Sequence, residues 1–256
     1  MLLCLDIGNS HIFGGVFEND NLLLRFRHPT YKDITSDQFG TFLKNVLQEN
    51  NFDPKNITMI ALCSVVPSID YSLKAACKKY FNIEPFILTA DTKSNIEINT
   101  INPKENGADI IAELIAASNL YNKKDLIVLD FGTVTTIAAI TKEQKYLGVT
   151  FIPGINTAMN SLQKNAANLF QVELIKPQNA LGRSTVESIQ KGLFFGHLGS
   201  IKEIVARITK EVFLSTPIVI ATGGFAHLFE NEGIFDHLEP DLVLHGIKIA
   251  FELNKK

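Results

Sequence analysis

Residues 126–140, LIVLDFGTVTTIAAI, constrain this chain more than any other stretch. An apolar run ends at Asp130, passes Gly132 and the hydroxyl-bearing Thr133, Thr135 and Thr136, and resumes as a second apolar run. Short apolar runs bounded by turn residues read as buried strands. The turn between them presents a carboxylate, glycine backbone and hydroxyls at one edge of a sheet, a set suited to a phosphate-bound metal ion. Residues 2–16, LLCLDIGNSHIFGGV, repeat the pattern: Asp6 stands to Gly8 as Asp130 stands to Gly132, and Asn9 takes the place of Thr133. The copies lie 124 positions apart (130 − 6). The competing reading is a pair of ordinary hairpin turns that use Asp and Gly for conformation. Two copies with one offset favour two similar half-molecules facing a shared ligand.

The length of 256 residues permits a substantial core in one large domain or two ordinary ones. Composition is that of a soluble globular protein, 46% hydrophobic and 20% charged. A net charge of −3, without a Lys/Arg stripe, gives no electrostatic basis for a nucleic-acid partner. Lys78-Lys79, Lys123-Lys124 and Lys255-Lys256 are isolated pairs expected on the solvated surface. Cys4, Cys63 and Cys77 cannot all pair and have no zinc spacing, so buried free thiols in a reducing compartment are expected. The start, MLLCLDIG, lacks a basic segment and reaches an acid at position 6, unlike a signal peptide. No apolar run approaches the roughly 18 residues that span a bilayer. A cytoplasmic protein without a membrane partner is the expectation.

Taken in order, residues 2–7, 12–17 and 22–27 form an antiparallel meander with a polar turn at 18–21. Thr35, Ser36 and Asp37 offer caps for a helix carrying Phe39, Phe42, Leu43, Val46 and Leu47 on one face. A strand over 57–64, a helix over 71–80 and a short strand over 85–88 follow. Residues 90–105 are polar and read as a long active-site loop. Residues 107–120 form a strong helix, and Asn122-Lys123-Lys124 marks the boundary between halves. The second half repeats the plan with strands over 126–130, 134–140 and 145–152, stopped by Pro153-Gly154. A helix begins at 155. Residues 185–212 read as one long helix or two, interrupted near Gly196–Gly199, with a strand at 217–221 and a closing helix over 241–253. The expected class is α/β and duplicated, with a cleft between halves.

A third element, IVIATGGF over 218–225, feeds a buried strand into Thr222-Gly223-Gly224 and a helix start. Glycines there let a flat ring lie on backbone. The ordered set Asp6-x-Gly8-Asn9-Ser10, Asp130-Phe131-Gly132-Thr133-x-Thr135-Thr136 and Thr222-Gly223-Gly224 resembles the phosphate-1, phosphate-2 and adenosine motifs of acetate and sugar kinases, heat-shock chaperone ATPases and actin. Four further segments resemble type III pantothenate kinase: Asn102-Pro103 with Gly107-Ala108-Asp109; Ile152-Pro153-Gly154; Gly182-Arg183-Ser184-Thr185 followed by Gln190 and Gly192; and Pro240-Asp241-Leu242-Val243-Leu244-x-Gly246.

The resemblance implies duplicated ribonuclease-H-like (actin-like ATPase) domains with mixed sheets and an inter-domain cleft. The halves would be 1–121, with the phosphate-1 turn, and 122–256, with the phosphate-2 turn and adenosine motif. It also implies transfer of the γ-phosphoryl group of ATP to the primary hydroxyl of pantothenate, giving 4'-phosphopantothenate in the first step of coenzyme A synthesis. Mg²⁺ and a monovalent cation, K⁺ or NH₄⁺, would assist, in a homodimer with the active site near its interface. On matching positions, Asp109 would be the general base, and Asp6, with Gly8, Asn9 and Ser10, would serve the Mg²⁺–phosphate end. Asp130 would serve the monovalent cation, Gly132 and Thr133 the phosphates, and Thr222, Gly223 and Gly224 the nucleoside. Thr100, Gly107, Ala108, Asp109 and Ile110 would line the acceptor, with Thr185 supplied across the dimer interface. Read without the resemblance, Asp109 is a helix-start acid.

The chain departs from the family pattern mainly on the acceptor side. Ile110 replaces an Arg suited to pantothenate's carboxylate, Thr100 replaces a Tyr, Gly148-Val149 alters a glycine pair, and Val134 stands for Ala. Arg183 and Lys104 are the candidate substitute cations. Two other readings therefore stand beside pantothenate kinase: a nucleotide-binding relative acting as a regulator or accessory protein, and a kinase for another small hydroxylated molecule.

Overall fold

The computed structural model describes residues 1–255, so Lys256 of the terminal lysine pair lies outside the described residues. Its strands and helices run β1 (Leu2–Ile7), β2 (His11–Glu18), β3 (Asn21–Pro29), α1 (Ser36–Glu49), β4 (Met59–Ser64), α2 (Asp70–Phe81), β5 (Phe86–Ile87), β6 (Glu97–Ile98) and α3 (Ala108–Leu120). They continue with β7 (Leu126–Phe131), β8 (Val134–Ile140), β9 (Lys145–Pro153), α4 (Ile155–Asn165), α5 (Thr185–Val212), β10 (Ile218–Thr222), β11 (His237–Leu238) and α6 (Leu242–Asn254).

One sheet has the order β3-β2-β1-β4-β5, and the other β11-β10-β7-β8-β9-β6. Reversed, the second reads β9-β8-β7-β10-β11 with β6 on its edge, so five strands of each sheet correspond one to one. In both, the first strand pairs antiparallel with the second and parallel with the fourth. Asp6 pairs across to Phe13 and Cys63, while Asp130 pairs across to Thr136 and Thr222. The duplication seen in the two acid turns is thus a duplication of sheet topology.

The chain clusters into two compact units. The first holds Met1–Asn95, Ile101–Ala116 and the segment from Leu242; the second holds Ile96–Thr100 and Ala117–Asp241. This partition differs from the expected division at 121/122 by returning α6 to the first unit, where it packs on β1 and β4. Leu242, Leu244, Ile247 and Ala250 are fully buried on α6. Gly246 lets α6 approach α3, since a Cβ there would meet the Ala112 backbone. A local pattern identifies such a helix but not the sheet it covers.

The first unit's core joins Leu3, Leu5, Ile7 and Ile12 of the meander to Phe39, Leu43 and Leu47 of α1 and Leu73 of α2. Each such side chain contributes about 1.5–3 kcal/mol through burial. α1 starts with the expected cap, elaborated into a reciprocal box between Thr35 and Gln38. The second unit's core joins Ile127, Leu129 and Ile137 to Phe194, Leu198 and Ile201 of α5 and to Phe229.

Two local expectations change. Residues 90–105 are not wholly irregular, because β6 pairs parallel with β9 and a 3-10 turn forms at Pro103–Glu105. A two-residue edge strand is specified by its partner rather than by its own pattern. Helix α5 runs unbroken through Gly192, Gly196 and Gly199. Each interior glycine costs about 1 kcal/mol of helix propensity, which burial of Ile189, Phe194, Leu198 and Ile201 offsets.

Candidate active site

In the first unit, β1 ends at half-buried Asp6, and the turn through Gly8, Asn9 and Ser10 enters β2. The Gly8 amide donates to the His11 carbonyl at 3.1 Å, and a Cβ on Gly8 would stand 3.0 Å from that oxygen. Thr30 fixes the turn from β3's end: its hydroxyl donates to the Gly8 carbonyl at 2.7 Å, and its amide to the Ser10 carbonyl at 3.0 Å. Sequence reasoning missed Thr30, whose distance along the chain is closed only by the β2–β3 ladder. Behind the turn, the buried Cys63 thiol donates to Asp6 Oδ1 at 3.4 Å. Burial, followed by Asp6, Asp109 and Glu113, pushes this thiol well above its ordinary pKa, so it is a protonated donor. One thiol therefore senses both the phosphate-1 acid and the candidate base.

Asp109 stands in the first turn of α3, and its Oδ1 accepts from the Ile110 amide at 2.8 Å. Burial raises its pKa above the usual carboxylate range, although that bond works in the opposite direction. A carboxyl raised in this way is a better proton acceptor once ionised. Gly107 leaves room for it, because a Cβ there would collide with Asp109 Oδ1. Ala108 is half-buried, and Ile110 is buried at 4% exposure. Lys104 is exposed and stands 3.9 Å from Asp91.

In the second unit, Asp130 is half-buried at the end of β7, and Gly132 and the exposed Thr133 form the turn into β8. Gly154 packs against this turn. Its amide donates to the Thr133 carbonyl at 3.2 Å, and a Cβ on Gly154 would overlap the Gly132 carbonyl. The Thr157 hydroxyl donates to the same Thr133 carbonyl at 2.6 Å. Thr157 was another omission from the sequence reading, and the strand-stopping Pro153-Gly154 was its only nearby signal. Gly223, at φ +91°, crosses the Asp130 carboxylate so closely that a Cβ would strike it and the Phe131 backbone. This conformation and this approach both require glycine. Thr222 is buried opposite Asp130, which leaves the Gly223–Gly224 backbone as the accessible part of the third motif.

The phosphate-2 hydroxyls divide by position. Thr133 is exposed, whereas Thr135 and Thr136 turn into the core. Thr135 bonds His197 Nε2 at 3.1 Å, and Thr136 Oγ1 is buried with no hydrogen-bond partner. Thr185 is exposed at the start of α5, behind its Ser184 cap, and lines a cavity of about 860 Å³. Thr157, Ser161 and Ser188 share that wall with apolar Leu162, Leu169, Ile189 and Leu193. Through Thr157 the cavity adjoins the Thr133 turn. Thr100, half-buried, lies in the second unit just past β6. Arg183 is exposed two positions before Thr185.

Among the described residues, no group of three or more His, Cys, Asp and Glu side chains could form a metal site. Mg²⁺ held by one or two carboxylates together with substrate phosphates requires no such group. Single carboxylates beside hydroxyls and glycine backbone, as at Asp6 and Asp130, are hard oxygen donors that fit this mode. Among the described residues, no helix is long and apolar enough to cross a membrane.

A family model described as type III pantothenate kinase matches residues 2–207. A type III pantothenate kinase of Legionella pneumophila is 52% identical over 255 residues, covering 99% of each chain. Type III pantothenate kinase 1 of Francisella tularensis subsp. holarctica is 45% identical over 256 residues, covering all of both chains. The fold is shared with a ROK hexokinase from Thermus thermophilus, with a TM-score of 0.51 at 16% identity, covering 100% of this chain and 99% of that one.

Proposed function

The chain belongs to the type III pantothenate kinase family, and from that premise we propose a residue-level account of ATP-dependent phosphorylation of pantothenate to 4'-phosphopantothenate. The reaction is the first step of coenzyme A biosynthesis, and the chain is a phosphotransferase with an alcohol acceptor. Asp109 is the general base that takes the proton of the primary hydroxyl. The observation that carries this assignment is its placement: a half-buried carboxyl in the first turn of α3, its pKa raised by desolvation, near enough to Cys63 that it and Asp6 both act on one thiol. Phosphoryl transfer needs positioning and charge neutralisation more than covalent chemistry, so one base and two phosphate turns suffice.

The phosphate-1 residues Asp6, Gly8, Asn9 and Ser10 orient the metal–phosphate end, and Gly132 and Thr133 hold nucleotide phosphates. Gly223 and Gly224 give the nucleoside a backbone platform next to Asp130. Mg²⁺, bound with the phosphates, supplies charge neutralisation. Asp130 serves a monovalent cation, K⁺ or NH₄⁺. Thr100, Gly107, Ala108 and Ile110 border the acceptor. Thr185 joins them from a second copy, in a homodimer. The setting is cytoplasmic.

The test is ADP release by the purified protein with ATP, Mg²⁺ and K⁺, with and without pantothenate. Pantothenate-dependent release is expected. Nucleotide binding without it would transfer the chain to the accessory-protein reading, and turnover with a different hydroxylated acceptor would name another substrate.

A further inference from the structure

His197 lies in the middle of α5, twelve positions after Thr185 (197 − 185), and is 8% exposed. Its Nε2 is 3.1 Å from Thr135 Oγ1, and Thr135 is 1% exposed. Its ring lies 6.2 Å from Phe131 and 5.5 Å from Phe229. These neighbours are not scattered through the core. Phe131 is the last residue of β7 and Thr135 lies at the beginning of β8, so the imidazole touches both arms of the hairpin whose tip is Gly132-Thr133. The Phe131 carbonyl also accepts from the Phe225 amide at 3.2 Å, and Phe229 closes the short turn that follows Gly223-Gly224.

We infer that His197 is a positioning residue for the nucleotide, holding the phosphate-2 hairpin and the segment after Gly224 in binding geometry through Thr135. The inference rests on the proposal that this hairpin takes the phosphates of ATP. Its physical basis is directionality. An apolar pair of the same shape would pack about as stably as this hydroxyl and imidazole, but would not fix one seating of the start of β8, already paired with β7 and β9, against α5. A hydrogen bond within an aromatic enclosure fixes one orientation. Burial pushes the imidazole pKa down to about 4, so the ring is neutral at neutral pH and brings no charge beneath the turn. A site whose supporting contacts are loosened must be ordered at the moment of binding, and the loss appears as weaker nucleotide affinity.

The experiment measures the KM for ATP and for pantothenate, kcat, and the melting temperature. The variants are Thr135→Val, His197→Phe, their double, and His197→Gln, with Asp130→Asn and Thr133→Val testing the turn itself. Thr135→Val and His197→Phe should each raise the KM for ATP about five- to tenfold, the scale of one neutral hydrogen bond. The KM for pantothenate should remain unchanged, the double should be no worse than either single, and His197→Gln should regain most of the loss. Lowered melting temperature with an unaltered KM for ATP, while Asp130→Asn or Thr133→Val still raises it, would overturn the inference and leave the turn's role standing. If none of the variants changes the KM for ATP, the turn is not the nucleotide site and the inference falls with it. Thr135→Val removes one hydroxyl at nearly constant volume, so it decides the matter should His197→Phe fail to fold.

Discussion

The two acid-bearing hairpins share one strand plan and differ in what stands behind the acid. Asp6 pairs across to Cys63 on β4, and Asp130 to Thr222 on β10, so Cys63 and Thr222 are equivalent places, as are Ser64 and Gly223. In the first hairpin a protonated thiol donates to the carboxylate, and the next residue is an ordinary Ser whose hydroxyl donates to Asp70 at 2.6 Å. In the second, the next residue is a glycine in a left-handed conformation, crossing the carboxylate with no room for a side chain. The first arrangement keeps its acid in a neighbourhood containing the candidate base. The second opens backbone beside its acid. One turn geometry thus carries two different surroundings, which the proposed function assigns to chemistry in one unit and to nucleotide recognition in the other.

The largest expected effect lies on the first side. Asp109→Asn should lower kcat by about 10²–10⁴ while leaving ATP binding intact, as removal of a general base does. It should also raise the melting temperature. A carboxyl whose folded pKa lies above its unfolded value contributes stability below the unfolded pKa and loses it as pH rises, so its charge at neutral pH opposes folding. Wild-type kcat/KM should decline on the acid side with a midpoint above the ordinary Asp value. Unaltered turnover in Asp109→Asn would remove the chemical half of the comparison.

The next effect belongs to the second side. Gly223→Ala should cost about 3 kcal/mol, from backbone strain and collision with Asp130. The equivalent Ser64→Ala should cost less, about 1–2 kcal/mol, through loss of the hydrogen bond donated to Asp70 and the one accepted from the Val66 amide. Equal losses in denaturant unfolding would mean that the two turns are not specialised as described.

A pH-dependent difference should follow from His197. Its folded pKa of about 4 lies below the ordinary imidazole value of 6.5, so the unfolded chain binds the extra proton between these limits. Stability should be full above about pH 6.5 and fall toward pH 4, by about 3 kcal/mol at most. His197→Phe should abolish this component of the pH dependence. The smallest effect is Cys63→Ala, expected to cost about 0.5–1 kcal/mol through a weak donor, with Cys63→Ser restoring the bond to Asp6. A larger loss in Cys63→Ala than in Gly223→Ala, from unfolding curves, would reverse the order of the two sides.

Much of this was legible in the chain itself. The Asp-x-Gly offset after matching apolar strands identified both turns, because a carboxylate and glycine at a strand end leave a local record. The meander, the Thr35 cap and the buried cysteines followed from periodicity and side-chain chemistry. Positions joined by nonlocal hydrogen bonds left no such record. Thr30 and Thr157 close their turns through ladders and helix starts far along the chain, and β6 takes its form from β9. Thr135 was grouped with the phosphate hydroxyls, yet strand alternation turns it inward to a histidine that had no motif of its own.

The sequence by itself determined most of the longer elements, their duplication and the residue chemistry of each turn, since these depend on residues adjacent in the chain. Tertiary structure alone decided which unit α6 completes, why Gly223 must be glycine, and that Asp109 is a half-buried acid of raised pKa. Those properties depend on close approach and desolvation, which are set by atoms that meet only after the sheets have packed.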